Sequence, residues 1–198
     1  MRPQDSVVDK IVAHTERVEA HGVPEAARTA AKAFIADTLA VAAAGVATSW
    51  RREVLDMLAA GGGAAEATVF GTGDRLPLAH AAMLNAYQVH SQEFDCVHEA
   101  AVVHPMAAAL PALLGCAERE GGVSGTRLIR AVVVAVDVAV TLGLCSRAPM
   151  RFFRPANCGG FGAVAALALL AGLGEEQTRD ALGIYYGQCA CIVPPHCP

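Results

Sequence analysis

The side chains best suited to proton transfer are concentrated in one short stretch of the sequence. Three histidines and three acids lie between positions 90 and 104, in otherwise apolar surroundings: His90, Glu93, Asp95, His98, Glu99 and His104. Imidazole and carboxylate groups side by side can orient an acidic substrate and move protons near neutral pH. The residue types therefore favour acid–base chemistry, although a solvated loop with a capping aspartate would have the same composition.

The same side chains could instead ligate a metal ion. However, the sequence contains no pair of histidines at HxxxH or HExxH spacing, so we expect no metal here. A C-terminal set could form a metal clip, but it lacks the spaced CxxC pairs that are typical of zinc sites. This set consists of Cys189, Cys191, His196 and Cys197.

A second candidate site is the segment 151–162, where arginines precede glycines at a predicted helix start. Arg154 and the pair Gly159 and Gly160 are its central residues. A guanidinium beside free backbone N–H groups at a helix N-terminus binds a carboxylate or a phosphate. Close packing of a small-residue helix with surface arginines explains the segment equally well. The sequence has no GxGxxG motif after a strand and no Walker lysine, which argues against nucleotide binding.

The overall composition indicates a helical globular domain. Of the 198 residues, 54% are hydrophobic and only 5% are aromatic, so the core must consist of Ala, Val and Leu in close-packed helices. The net charge is −4 and only two lysines occur, which argues against a nucleic-acid partner. A polar N-terminus and seven cysteines predict a cytoplasmic protein with free thiols.

Helical periodicity, caps and breakers predict an all-α fold with one short extended segment at 67–70. The uncharged runs 100–117 and 155–174 contain prolines or are too short to span a membrane, so we expect buried helices and no membrane. The predicted helices are 6–19, 25–44, 50–60, 77–89, 110–118 (reaching back to about 105), 125–144, 159–173 and 175–188.

Several segments, taken in order, resemble the MmgE/PrpD family over about residues 6–190. They are ARTAAKAFIADTLAVAAAG, ATVFGTG, AAMLNAYQVHSQEFDCVHEAAVVHPMAAALPALLGCAE, GGVSGTRLIRAVVVAVDVA, FFRPANCGGFGAVAALALLAGL and EEQTRDALGIYYGQC. The resemblance implies a multi-helix bundle followed by a smaller α+β domain, a homodimer, and no metal or organic cofactor. It assigns residues 1–188 to the helical domain and leaves 189–198 as a tail outside the family.

The resemblance also implies the chemistry. Family members remove or return a proton next to a carboxylate of a small di- or tricarboxylic acid. They include 2-methylcitrate dehydratases, cis-aconitate decarboxylases and iminodisuccinate epimerases. A dehydratase-like lyase is the first expectation, with decarboxylation or epimerisation as alternatives. Because members are more than twice as long, a truncated or split enzyme completed by a second chain is expected. A remnant with only a binding or structural role is the other alternative.

The family's acid–Phe–Asp segment falls on Glu93, Phe94 and Asp95, and its His-Pro pair begins at His104. The resemblance therefore implies that Asp95, His104 and Glu93 are catalytic. As substrate-binding residues we predict His98 and His90 beside them, together with Arg154, Gly159 and Gly160 of the second candidate site. Two positions depart from the family, since Cys96 stands where a second aspartate is common and Arg154 stands where a histidine is expected. Arginine cannot shuttle protons at neutral pH but can hold a carboxylate.

Overall fold

The computed structural model describes residues 6–146 and 153–189, and these form a helical bundle with one very small sheet. The all-α prediction is therefore confirmed. A 3₁₀ turn, Gly45–Ala47, follows the second helix. The elements in chain order are α1 (Val7–His21), α2 (Glu25–Ala44), α3 (Arg51–Ala60), β1 (Ala67–Thr68), β2 (Arg75–Leu76), α4 (Leu78–His90), α5 (Pro105–Arg119), α6 (Gly125–Cys145), α7 (Arg154–Ala171) and α8 (Glu175–Gln188).

Local capping signals fix the starts of α1 and α6, and a proline precedes α2, close to the predicted positions. The Ser6 hydroxyl accepts from the Asp9 N–H and the Asp9 carboxylate accepts from the Ser6 N–H, which forms a capping box at α1. Ser124 caps α6 through the Arg127 N–H. Pro24 precedes α2, whose observed bounds are the predicted ones.

The core lies among α5, α6 and α7, and small residues let these helices approach closely. A Cβ on Gly162 of α7 would lie 2.3 Å from the carbonyl oxygen of Ala135 on α6. The runs 100–117 and 155–174, predicted as buried helices, supply α5 and α7, most of whose residues are buried or half-buried. Large buried side chains of this core include Met106, Leu110, Leu113, Val132, Val134 and Leu169.

The extended segment predicted at 67–70 contains β1, which forms a hairpin with β2. The second strand was not predicted from the sequence. Thr68 of β1 pairs with Arg75 of β2 in an antiparallel register. Buried Asn85 of α4 holds the hairpin, since its side chain accepts from the Phe70 N–H at 2.8 Å and donates to the Thr68 carbonyl at 2.9 Å. Gln88, one turn later, donates to the Phe70 carbonyl at 3.0 Å. Amides on one face of α4 thus attach the hairpin to the bundle.

Within residues 6–146 and 153–189, two helical segments are long and apolar enough to cross a membrane by length and composition alone, Glu25–Ala47 and α6 (Gly125–Cys145). Such helices are weak evidence for a membrane span, because core helices of globular proteins have the same properties. Seven residues of α6 are buried against the rest of the bundle. Glu25, Arg28, Lys32 and Asp37 place four charges along α2. The cytoplasmic location stays a prediction.

Candidate functional site

A cavity of about 430 Å³ lies where the end of α4, the start of α5 and the start of α7 meet. Most of its polar groups lie at the end of α4 and in the loop between α4 and α5, and alanines of α4 and α5 form an apolar wall. The lining residues are Ala86, Tyr87, His90, Ser91, Glu93, His104, Ala107, Ala108, Phe153, Pro155 and Ala156. The volume falls in the range of roughly 300–1,000 Å³ typical of small-molecule sites.

Two histidines of the cavity wall share one buried aspartate. Nδ1 of His104 lies 3.1 Å from Oδ2 of Asp95, and Nδ1 of His90 lies 3.1 Å from Oδ1 of the same carboxylate. The Asp95 side chain has no exposed surface, whereas the side chain of His90 is 34% exposed. The two imidazole rings meet edge to face, with centroids 4.8 Å apart. One carboxylate therefore orients both rings.

The backbone explains why these three side chains converge. His90 is the last residue of α4, and His104 is the N-cap of α5, followed by Pro105 at the first helical position. Between them the chain turns back on itself, and an isolated bridge joins His98 and Val103. Asp95 lies in this loop and is directed inward, so the loop closes over its own carboxylate.

Glu93 lies at the rim of the cavity, and its side chain is largely exposed. Oε1 lies 3.5 Å from Nε2 of His90, on the side of the ring opposite Asp95. The residue has a φ of 55°, in the left-handed region that non-glycine residues rarely adopt. The structure thus places Glu93 beside His90 and away from Asp95.

His98 is not brought to the cavity. It is exposed, and its Nδ1 accepts a hydrogen bond from the Ala101 N–H at 3.2 Å. The ring therefore stabilises the turn that leads to His104. The prediction that His98 binds substrate is not supported by this position, because a short turn directs the side chain away from the lining residues.

The expected carboxylate site at Arg154, Gly159 and Gly160 is not formed as predicted. Helix α7 begins at Arg154 rather than near Gly159, so the N–H groups of both glycines lie inside the helix and bond to the preceding turn. The glycines serve packing instead, since a Cβ on Gly159 would lie 3.1 Å from Cβ of Ala108 and one on Gly160 would overlap the Tyr185 hydroxyl.

The Arg154 guanidinium does not line the cavity. Its Nη2 donates to the Ser146 carbonyl at 3.2 Å, which connects the start of α7 to the end of α6. The neighbouring Phe153 and Pro155 form the cavity wall instead. The proposed clamping role of Arg154 therefore has no geometric support among the described residues. Arg151 and Phe152 lie outside the described residues.

Sequence reasoning missed two polar residues of the cavity, Tyr87 and Ser91. Tyr87 precedes His90 by three positions on α4, and that spacing puts both on one helix face. Its hydroxyl donates to the Ser49 carbonyl, which anchors the wall to the loop before α3. The helical spacing from His90 was the signal that could have identified Tyr87.

Cys96, which replaces the family's common second aspartate, lies next to Asp95 but packs against the core. Burial raises the pKa of its thiol to about 11. At neutral pH the group is a neutral thiol, so it adds no negative charge beside Asp95. Thiolate chemistry at this position is disfavoured for the same reason.

His90, Asp95 and His104 also have one ligand atom each within 4.8 Å of one another, which makes them a candidate metal set within the described residues. Of the C-terminal clip predicted as an alternative, only Cys189 is described. Cys191, His196 and Cys197 lie outside the described residues.

Comparison with known proteins agrees with the resemblance. Cis-aconitate decarboxylase of Homo sapiens is 36% identical over 125 residues, which are 59% of this chain and 26% of the relative. The Mus musculus protein of the same name is 33% identical over 161 residues, 77% of this chain and 33% of the relative. The chain thus spans at most about a third of these relatives' length. The model of the MmgE/PrpD N-terminal domain matches residues 9–193, so this chain belongs to the MmgE/PrpD family.

Proposed function

We propose that this chain supplies the histidine–aspartate part of the active site of a lyase for a small polycarboxylic acid. The observation that supports it best is the buried Asp95 carboxylate, which lies 3.1 Å from an imidazole nitrogen of both His90 and His104 at the edge of the cavity. Two oriented imidazoles at one cavity suit a reaction that moves a proton beside a carboxylate.

With the Asp95 carboxylate as the acceptor, we assign the proton of each ring to Nδ1. An Nδ1–H that donates to Asp95 leaves Nε2 with a lone pair, and His104 then presents this atom toward the cavity. Nε2 can take a proton from a substrate carbon or, once protonated, give one back. The Asp95 carboxylate stabilises the imidazolium that forms, as the aspartate does in a Ser-His-Asp triad.

The named relatives direct the choice of substrate toward cis-aconitate and the choice of reaction toward decarboxylation. In that reaction a carbon–carbon bond breaks, CO₂ leaves, and the electron pair shifts through the neighbouring double bond to a carbon that accepts a proton. Protonated His104, which is hydrogen-bonded to Asp95, can donate this proton. The step needs no oxidant or reductant, because the electron pair of the broken carbon–carbon bond is conserved: it forms the shifted double bond, and the pair of the old double bond forms the new carbon–hydrogen bond.

Dehydration remains the second candidate, because one of the two imidazoles could act as a base and the other as an acid on a hydroxy acid. The relatives identified above are decarboxylases, so the expected preference for 2-methylcitrate has no direct support. The homodimer and the second chain that would complete the site stay predictions.

The test is an activity assay on the folded 198-residue chain with cis-aconitate, 2-methylcitrate and iminodisuccinate in D₂O, followed by proton NMR. We expect loss of CO₂ from cis-aconitate with one deuterium in a five-carbon dicarboxylate product. His104→Ala should abolish the reaction, whereas His21→Ala, on the exposed end of α1, should not affect it.

Formation of product by His104→Ala at the wild-type rate would contradict the role given to His104. Failure of the folded chain to bind any of the three acids would contradict the proposal that this chain supplies part of their active site.

A further inference from the structure

We propose that His90, Asp95 and His104 also form a binding site for a divalent transition-metal ion, and that such an ion blocks proton transfer by the same residues. The family resemblance implies no metal, so the inference rests on the geometry of the three side chains. Metal binding does not require the reaction proposed above, because it can be measured without any substrate, whereas the block of proton transfer rests on that proposed function.

The distances suit a shared ion. Oδ2 of Asp95 lies 3.3 Å from Nδ1 of His90 and 3.1 Å from Nδ1 of His104. Two metal–ligand bonds of about 2.1 Å that span these separations enclose angles of about 95–104°, between octahedral and tetrahedral values. One ligand atom from each of the three residues lies within 4.8 Å of the other two. The rings therefore need to close by no more than about 0.6 Å to reach the ~4.2 Å limit set by two such bonds.

Charge also favours a cation at this point. The Asp95 side chain is fully buried, and in the described part of the chain its hydrogen-bond partners are the two imidazoles. A buried carboxylate without a fixed cation is costly. A divalent ion held by this carboxylate and the two Nδ1 atoms would compensate its charge.

The ligand set selects the type of ion. Two imidazole nitrogens and one carboxylate oxygen suit Zn²⁺, Co²⁺ or Ni²⁺, whereas Mg²⁺ and Ca²⁺ prefer oxygen ligands alone. Glu93 is not part of the set, because it lies at Nε2 of His90, on the opposite side of the ring.

Metal binding and proton transfer exclude each other. An imidazole that binds a metal through Nδ1 carries its proton on Nε2 and has no lone pair there. The Nε2 atom that would act as a base toward the cavity is then a donor only. Each ring changes tautomer without any net loss of protons, so the ion and the catalytic form compete for the same nitrogen atoms.

The experiment is equilibrium dialysis of the full chain against Zn²⁺, followed by titration with Co²⁺ to record its visible absorption bands. We expect one saturable ion per chain, with no binding of Mg²⁺. His90→Ala and Asp95→Asn should each weaken Zn²⁺ binding by at least ~10-fold, since even partners outside the ligand set change metal affinity by 10–100-fold. His21→Ala, an exposed histidine on α1, is the matched control.

A double variant, Cys191→Ser with Cys197→Ser, separates this site from the C-terminal cysteines. Loss of Zn²⁺ binding in the double variant, with retention in His90→Ala, would overturn the proposal. Absence of saturable binding to the wild-type chain would also overturn it. If Asp95→Asn fails to fold, the decision rests on His90→Ala and on ¹⁵N NMR of the imidazoles, where Zn²⁺ should shift Nδ1 of both rings.

Discussion

Gly45 directly follows α2 and packs against the backbone of α4 at Gln88, which is two residues before His90. A Cβ at this position would lie 2.0 Å from the carbonyl oxygen of Gln88 and 2.9 Å from its Cα. The Gly45 backbone itself has a φ of −63° and a ψ of −12°, which alanine adopts without strain. The substitution Gly45→Ala therefore tests helix packing alone.

The size of the effect follows from the contact. To reach an ordinary separation of 3.4 Å from 2.0 Å, the two backbones must move apart by about 1.4 Å. That shift would also strain the hydrogen bond from Gln88 Nε2 to the Ala42 carbonyl, which is already 3.3 Å long. Overpacking of this kind costs about 1–3 kcal/mol, and the weakened buried hydrogen bond adds to it. We expect Gly45→Ala to lower the free energy of unfolding by about 2–4 kcal/mol.

Gly183→Ala is the matched control, because Gly183 lies inside α8 and a Cβ there meets no atom within 4 Å. We expect this variant to stabilise the protein by about 0.5–1 kcal/mol through helix propensity. Urea unfolding followed by far-UV circular dichroism measures both. Equal stability of Gly45→Ala and wild type would refute the close approach of α2 and α4 on which the position of His90 depends.

Three further predictions concern stability, acid sensitivity and thiol reactivity. Asn85→Ala leaves the Phe70 N–H and the Thr68 carbonyl without their partner, so urea unfolding should show a loss of about 2–4 kcal/mol; no loss would contradict the role of α4 in holding the hairpin. The Ser6 hydroxyl and the Arg179 guanidinium lower the pKa of Asp9 from 3.8 to about 2. The stabilisation from Asp9 is therefore complete above pH 3.8 and is lost as pH falls toward 2, and Asp9→Asn should flatten the acid dependence of unfolding over that range. Because burial raises the pKa of Cys96 to about 11, only about one thiol in a thousand is ionised at pH 8, and iodoacetamide should label exposed Cys145 well before Cys96 by mass spectrometry; equal rates would contradict this burial.

The sequence by itself determined the helical architecture, because residues at or next to the ends of a helix specify where it starts and stops. Ser6 and Ser124 cap helices through their own hydroxyls, and Pro24 precedes α2 at the predicted position. The residue types between 90 and 104 likewise predicted a cluster of imidazoles and carboxylates. Family membership, shown by a match over residues 9–193, was also readable from the order of the segments.

Only the tertiary structure decided which polar residues meet. His98 and His104 lie six positions apart in the same stretch, yet the turn between them directs one to solvent and the other to Asp95. Arg154 bonds to Ser146 rather than facing the cavity, because α7 starts earlier than its glycines suggest. Hydrogen bonds in irregular turns and at helix ends set these positions, and residue types and helical periodicity alone do not specify such bonds.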